Sequence, residues 1–155
     1  EKMKDLNGAI EDYSKAIEIN PDASSYKKRG LVRYKSDDYK GAIDDYTKAI
    51  EINPNHQNAY SNRAVCKYEL KDLKGSIDDY TKLIEINPKE EDAYINRGIC
   101  KDELGDFKNS IDDYSKAIKI NPKYGKTYMR RGCAKHKLGN KENAGKDFQK
   151  WRKYR

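Results

Sequence analysis

Residues 42–54 read AIDDYTKAIEINP, and the phrase returns three more times: AIEDYSKAIEINP at 9–21, SIDDYTKLIEINP at 76–88 and SIDDYSKAIKINP at 110–122. Each copy ends in an Asn-Pro pair, and the prolines Pro21, Pro54, Pro88 and Pro122 lie 33, 34 and 34 residues apart. A fixed period of this length marks stacked supersecondary units, each burying a narrow apolar stripe against its neighbours.

Outward from the phrase, each unit reads as two helices. In residues 91–124, Tyr94, Arg97, Gly98, Lys101 and Leu104 recur at helical spacing on a first helix. Phe107, Ile111, Tyr114, Ala117 and Ile118 form the stripe of a second helix, with Gly105-Asp106 between the two. Asp38, Asp72, Asp106 and Asn140 share one register and are expected to N-cap the second helices. The Asn-Pro pair is expected to end each second helix: Asn tolerates a left-handed turn, and Pro cannot continue the helix.

The 155 residues are 35% hydrophobic and 38% charged, a thin apolar supply for one globular core. Disorder would suit that polarity, but the strict periodicity and the 13 tyrosines argue against it. No run of apolar residues is long enough for a transmembrane helix. The opening residues 1–5 form no secretory signal and do not resemble a natural start, so the parent protein is expected to continue upstream. Cys66, Cys100 and Cys133 are too few and too far apart for a disulfide framework. All three are read as small packing residues, compatible with a reducing compartment, which favours the cytoplasm.

These residues resemble the tetratricopeptide repeat (TPR), in an array of the bacterial type. The motif asks for an aromatic at its fourth position, small residues at its eighth and twentieth, an aromatic at its twenty-fourth, Ala at its twenty-seventh and Pro at its thirty-second. Residues 23–56 supply Tyr26, Gly30, Ala42, Tyr46, Ala49 and Pro54. Residues 57–90 supply Tyr60, Ala64, Ser76, Tyr80, Leu83 and Pro88, where Leu83 is bulkier than the motif expects; residues 91–124 supply Tyr94, Gly98, Ser110, Tyr114, Ala117 and Pro122. The resemblance implies an all-α, right-handed superhelical solenoid of antiparallel hairpins. Its parts are a partial repeat at 1–22, repeats at 23–56, 57–90 and 91–124, and a final hairpin at 125–155. Residues 1–22 are expected to hold the end of a first helix and a complete second helix, with Ala9, Tyr13 and Ala16 on its stripe. Trp151, where a small Ala is expected, is read as part of a C-terminal cap that ends the array.

The period accounts for several features that could pass for chemistry. The acidic pairs at 44–45, 78–79 and 112–113 recur beside the same Tyr in the three full repeats, and Asp44–Lys48, Asp78–Lys82 and Asp112–Lys116 are spaced as i,i+4 ion pairs. They are read as a solvated helix face. The tyrosines in the two aromatic slots are read as core, and Gly30, Gly98 and Gly132 as sites of close helix packing. Neither His56 nor His136 has a metal-ligand spacing, and no nucleophile motif is visible. No enzymatic activity, metal or cofactor is therefore expected.

The resemblance places partner peptides in a concave groove lined by the first helices. The groove-facing candidates are Lys27 and Lys28, Asn62, Asn96, and Lys126 with Arg130; Leu31, Val65, Ile95, Ile99 and Cys133 share that face. Some family members grip a C-terminal carboxylate with a two-carboxylate clamp. Asn96, Lys126 and Arg130 match its last three positions, whereas its first two hold Ser61 and Val65. Charge is lopsided: residues 122–155 carry 12 Lys/Arg against 2 Asp/Glu. The expectation is a protein-interaction scaffold binding a peptide or protein, with an acidic or carboxylate-bearing segment at the basic end. Nucleic acid or an anionic surface is the alternative, disfavoured because the basic helix lacks interleaved exposed aromatics. Self-association through the N-terminal flank is a third reading.

Overall fold

The computed structural model describes residues 2–155, with side chains from residue 5 onward. Among the described residues there are nine helices and no strand: α1 (Lys2–Ile19), α2 (Ala23–Lys35), α3 (Tyr39–Ile52), α4 (Gln57–Glu69), α5 (Leu73–Ile86), α6 (Glu91–Glu103), α7 (Phe107–Ile120), α8 (Gly125–Lys137) and α9 (Lys141–Tyr154). The chain forms two compact units, Glu1–Asp79 and Tyr80–Arg155. In unit 1, α2 pairs with α3, with α1 and α4 against them; in unit 2, α6 pairs with α7 and α8 with α9. Among the described residues no end of a separate first helix precedes α1, which is one continuous helix from Lys2 to Ile19.

The caps fall where the sequence puts them. The side chains of Asp38, Asp72, Asp106 and Asn140 accept from the backbone N–H three residues on, at 3.0, 3.0, 3.3 and 3.4 Å. The chain turns between paired helices through a left-handed residue at one register: Asp37, Lys71, Gly105 and Gly139, with φ of 60, 64, 78 and 80°. The Asn-Pro ends correct the sequence reading. Asn53 and Asn121 are extended, not left-handed, both at φ −129°. The following proline ring clashes with a helical residue before it and pushes that residue toward extended backbone.

Packing follows the small-residue slots. A Cβ added to Gly30, Gly98 or Gly132 would stand 2.9, 2.7 or 2.8 Å from the ring of Tyr46, Tyr114 or Phe148, so the second-helix aromatic lies directly on the first-helix backbone. Tyr46, Tyr80, Tyr114 and Tyr128 are buried, but Tyr13, Tyr26, Tyr60 and Tyr94 are only half-buried. Leu83 fits its slot and is buried. Ala16, in the register of the buried Ala49 and Ala117, is exposed, because among the described residues no first helix covers that side of α1. Cys66 and Cys100 are buried, and burial pushes the Cys66 thiol up to about 11. Cys133 is exposed, which overturns its reading as a packing residue.

The acidic pairs need the largest correction. Asp44, Asp78 and Asp112 are exposed as expected, but Asp45, Asp79 and Asp113 are only 2, 2 and 3% exposed. Each buried carboxylate accepts from an arginine on the first helix of its own hairpin. Arg29–Asp45, Arg63–Asp79 and Arg97–Asp113 all close to 2.6 Å, and Arg131–Asp147 to 2.7 Å. A second cation one turn on completes each clamp: Arg33 at 3.0 Å, Lys67 at 2.8 Å, Lys101 at 2.7 Å and Lys135 at 2.8 Å. The same four arginines donate to a hydroxyl on the preceding second helix: Ser14, Thr47, Thr81 and Ser115, at 2.9–3.0 Å. Each also lies over the ring of Tyr26, Tyr60, Tyr94 or Tyr128, 5.6–5.8 Å from its centroid. One side chain thus ties three helices together. The surface lysines Lys48 and Lys82 run forward to Glu51 and Glu85 at i,i+3, both 2.8 Å, where the sequence pointed back to Asp44 and Asp78.

The clamp makes stability depend on pH in a defined direction. Burial opposes ionisation of Asp147, but the hydrogen bonds and charges of Arg131 and Lys135 outweigh it, so its pKa lies below the ordinary 3.8. A lowered folded-state pKa contributes stability that is complete above the unfolded value and is lost as pH falls through the folded one. We expect Asp147→Asn to flatten the loss of melting temperature below about pH 4. Parallel acid titrations of both proteins, followed by helical circular dichroism, measure it; identical slopes would remove Asp147 from the acid response.

Candidate functional site

The sequence candidates sit on the first helices of both units. In unit 1, Lys27 (half-buried) and Lys28 (exposed) lie on α2, and Asn62 (half-buried) lies on α4. The structure brings Asn62 together with Leu31, Tyr34, Tyr46 and Val65 around a cavity of 140 Å³. Three of these, Leu31, Asn62 and Val65, come from the predicted groove face. Lys27 and Lys28 are four and three residues before Leu31, on the same side of α2.

The floor of this cavity is Tyr46. Its side chain is fully buried, yet its hydroxyl has no hydrogen-bond partner. Burial, reinforced by Cys66, holds the phenol well above its ordinary range, and the Asn62 side chain beside the hydroxyl pulls the other way. The hydroxyl is therefore a neutral donor with nothing to donate to.

In unit 2, Asn96 is half-buried on α6, Lys126 is exposed in the first turn of α8, and Arg130 follows one turn later, half-buried. Ile95, which the sequence reading placed on the groove face, is buried. Arg130 is not a free cation. It lies against Tyr114, whose hydroxyl donates to Asp102 Oδ2 at 2.9 Å. Burial first, then the Asp102 charge and this hydrogen bond, hold the Tyr114 phenol high, with Arg130 pulling the other way. Asp102 Oδ1 is buried and has no partner. Asp102 was missed in the sequence. The available signal was the departure at one register, Tyr34, Tyr68, Asp102 and His136, where a carboxylate replaces an aromatic.

Cations of the last hairpin divide into two groups. Arg131 and Lys135 are taken by Asp147, and Lys146 meets Glu142 at 2.8 Å. Lys126 has no acidic partner among the described residues, and Lys141, Lys150 and Arg152 are exposed on α9. Among the described residues no group of His, Cys, Asp or Glu is arranged to hold a metal, and no helix is long and apolar enough to cross a membrane.

Comparison with known proteins gives the family. No curated relative matches the chain. The crystal structure of MamA superposes with a TM-score of 0.92 at 25% identity, over 99% of this chain and 90% of that one. A structure of MamA residues 41 to the end, from Desulfovibrio magneticus, gives 0.88 at 18% identity over 96% and 85%. The crystal structure of YrrB, described as a TPR protein with an unusual peptide-binding site, gives 0.84 at 20% identity over 97% and 78%. Two family profiles, both described as tetratricopeptide repeat, match the sequence, one over residues 23–56 and 91–124 and the other over 1–22, 57–90 and 125–150. These matches span nearly the whole chain, which therefore belongs to the tetratricopeptide-repeat family.

Proposed function

We propose that the chain is a non-catalytic scaffold that binds a peptide segment of a partner protein along the faces of its first helices. The TPR family match and the peptide-binding description of YrrB support protein or peptide partners. The observation that carries the finer reading is the division of cations in unit 2. The arginines that the fold needs are already neutralised by buried aspartates, while Lys126 on α8 is exposed and without an acidic partner. A carboxylate reaching Lys126 would gain charge-assisted hydrogen bonds, the strong kind. Asn96 adds an amide, and Arg130, beside Tyr114, adds a second positive charge.

Fluorescence anisotropy of an acidic peptide with a free C-terminal carboxylate, beside its amidated twin and a single-stranded oligonucleotide of equal charge, tests this. The free-carboxylate peptide is expected to bind most tightly at physiological salt. Lys126→Ala with Arg130→Gln is expected to weaken it about tenfold, the equivalent of roughly 1.4 kcal/mol, with helicity retained. Equal binding of all three probes would reduce the basic end to non-specific charge, and a tighter oligonucleotide would favour nucleic acid.

A further inference from the structure

We infer that α1 is an open docking site for a helix of a partner protein, one that carries arginine, a small residue and a second cation at positions i, i+1 and i+4 and seats its arginine on Asp12. The site uses the uncovered flank of α1, a surface separate from the first-helix faces proposed above to hold a peptide. On its other side α1 is already engaged: Ile17 is buried, and Ser14 accepts from Arg29 of α2 at 3.0 Å.

The first argument is a comparison within unit 1. Residues 9–21 repeat the phrase at 42–54 with two changes, Glu11 for Asp44 and Ser14 for Thr47. In α3 the stripe Ala42, Asp45, Tyr46 and Ala49 is at most 2% exposed, because α2 lies on it. The identical residues of α1 are uncovered: Ala9 and Tyr13 are half-buried, and Asp12 and Ala16 are exposed. Asp12 holds the register of Asp45, Asp79, Asp113 and Asp147, each clamped by two cations from the first helix of its hairpin. Asp12 has no cationic partner among the described residues. The flank of α1 is thus a full copy of a surface that the chain elsewhere covers with one kind of helix.

Those covering helices define the occupant. The arginines at 29, 63, 97 and 131 are each followed by Gly or Ala and, four residues on, by Arg or Lys. The arginine answers the buried acid, and the small residue lets the second-helix ring lie on the backbone: a Cβ at Gly30 would stand 2.9 Å from Tyr46. Asp12 and Tyr13 ask for the same pair. The helix comes from a separate protein. In the other hairpins the chain folds back through a left-handed residue, Asp37, Lys71, Gly105 or Gly139, and the next residue N-caps the second helix. At these two registers α1 has Lys4 and Asp5, and both are helical. A helix that runs straight through carries the residues before it along its own axis, not back onto its flank. A second copy does not fit either: its clamp arginines are held by its own aspartates, and its α1 would bring another Asp12 and no arginine.

The test uses the full chain and the blocked peptide acetyl-DASSYKKRGLVRYKS-amide, the sequence of residues 22–36, whose arginine and glycine meet Asp45 and Tyr46 inside the chain. Amide chemical shifts are followed during titration, beside versions of the peptide carrying Arg29→Gln or Gly30→Leu. Leucine keeps the charge and strengthens the isolated helix but collides with Tyr13, so attraction by charge or helicity alone would keep or improve its binding. Shifts are expected at Ala9, Asp12 and Ala16, with both peptide variants at least tenfold weaker. Asp12→Asn in the chain, a change at an exposed residue, is expected to weaken the parent peptide about tenfold without lowering the melting temperature. Equal binding of the Gly30→Leu peptide, or unchanged binding by Asp12→Asn, would overturn the inference. Shifts confined to the first helices α4, α6 and α8 would also overturn it and would assign the peptide to the face proposed above. A chain that sediments as a dimer and no longer takes the peptide would overturn it in favour of a second copy on α1.

Discussion

Asp113→Ala is expected to destabilise unit 2 by about 3–5 kcal/mol, because removing one member of a buried charge cluster leaves the others uncompensated. Asp113 is 3% exposed and accepts from Arg97 at 2.6 Å and Lys101 at 2.7 Å. Without it, two cations that are themselves 16 and 18% exposed are left in a poorly solvated crevice. Arg97 also donates to Thr81 and lies over Tyr94, so the loss extends beyond one hairpin. Asp112, its exposed neighbour, is the internal control: Asp112→Ala should change stability by no more than about 0.5 kcal/mol. Urea unfolding of both variants checks the contrast. If the two behaved alike, the clamp would contribute little to holding α6 on α7. Asp113→Asn should fall between them, since an amide can accept one hydrogen bond but cannot balance the charges.

That contrast also marks how far the sequence could be read. The repeat, the caps and the glycine slots were legible because each depends on neighbours within one helix or on a constant period. Which aspartate of a pair is buried depends on a residue 16 positions earlier on another helix. A signal was present: Arg29, Arg63, Arg97 and Arg131 each precede the second acid by 16 residues, and the last hairpin keeps Asp147 while placing Lys146 where the first acid would be. The i,i+4 spacing to Lys48 drew attention to the wrong acid, because within one helix both acids look equally solvated. The extended Asn53 and Asn121 were misread for a related reason, since the helix-ending habit of Asn gave way to the steric demand of the next proline. At the candidate site, Asn62 and Val65 were legible as a face. The cavity behind them was not, because it exists only where α2, α3 and α4 meet around the Tyr46 ring.

The same substitution at two equivalent registers is expected to act in opposite directions. Tyr114→Phe removes the donor to Asp102 Oδ2 and leaves that carboxylate with both oxygens unpartnered inside unit 2. Hydrogen bonds to charged groups contribute about 1.5–3 kcal/mol, and a loss of this size is expected. Tyr46→Phe removes a hydroxyl that is buried and bonded to nothing, while Phe148 shows that the ring alone fits the slot. The free protein is then expected to gain about 1 kcal/mol, the low end of the cost of an unsatisfied buried polar group. Thermal unfolding of the two single variants and of the double variant measures both terms. The sites lie in different units and are expected to act additively. A fall in stability for Tyr46→Phe as large as that for Tyr114→Phe would mean that its hydroxyl has a partner in solution, with the neighbouring Asn62 side chain the first candidate. A gain would mean that the unsatisfied hydroxyl costs stability in the folded chain, as expected of a buried donor without an acceptor.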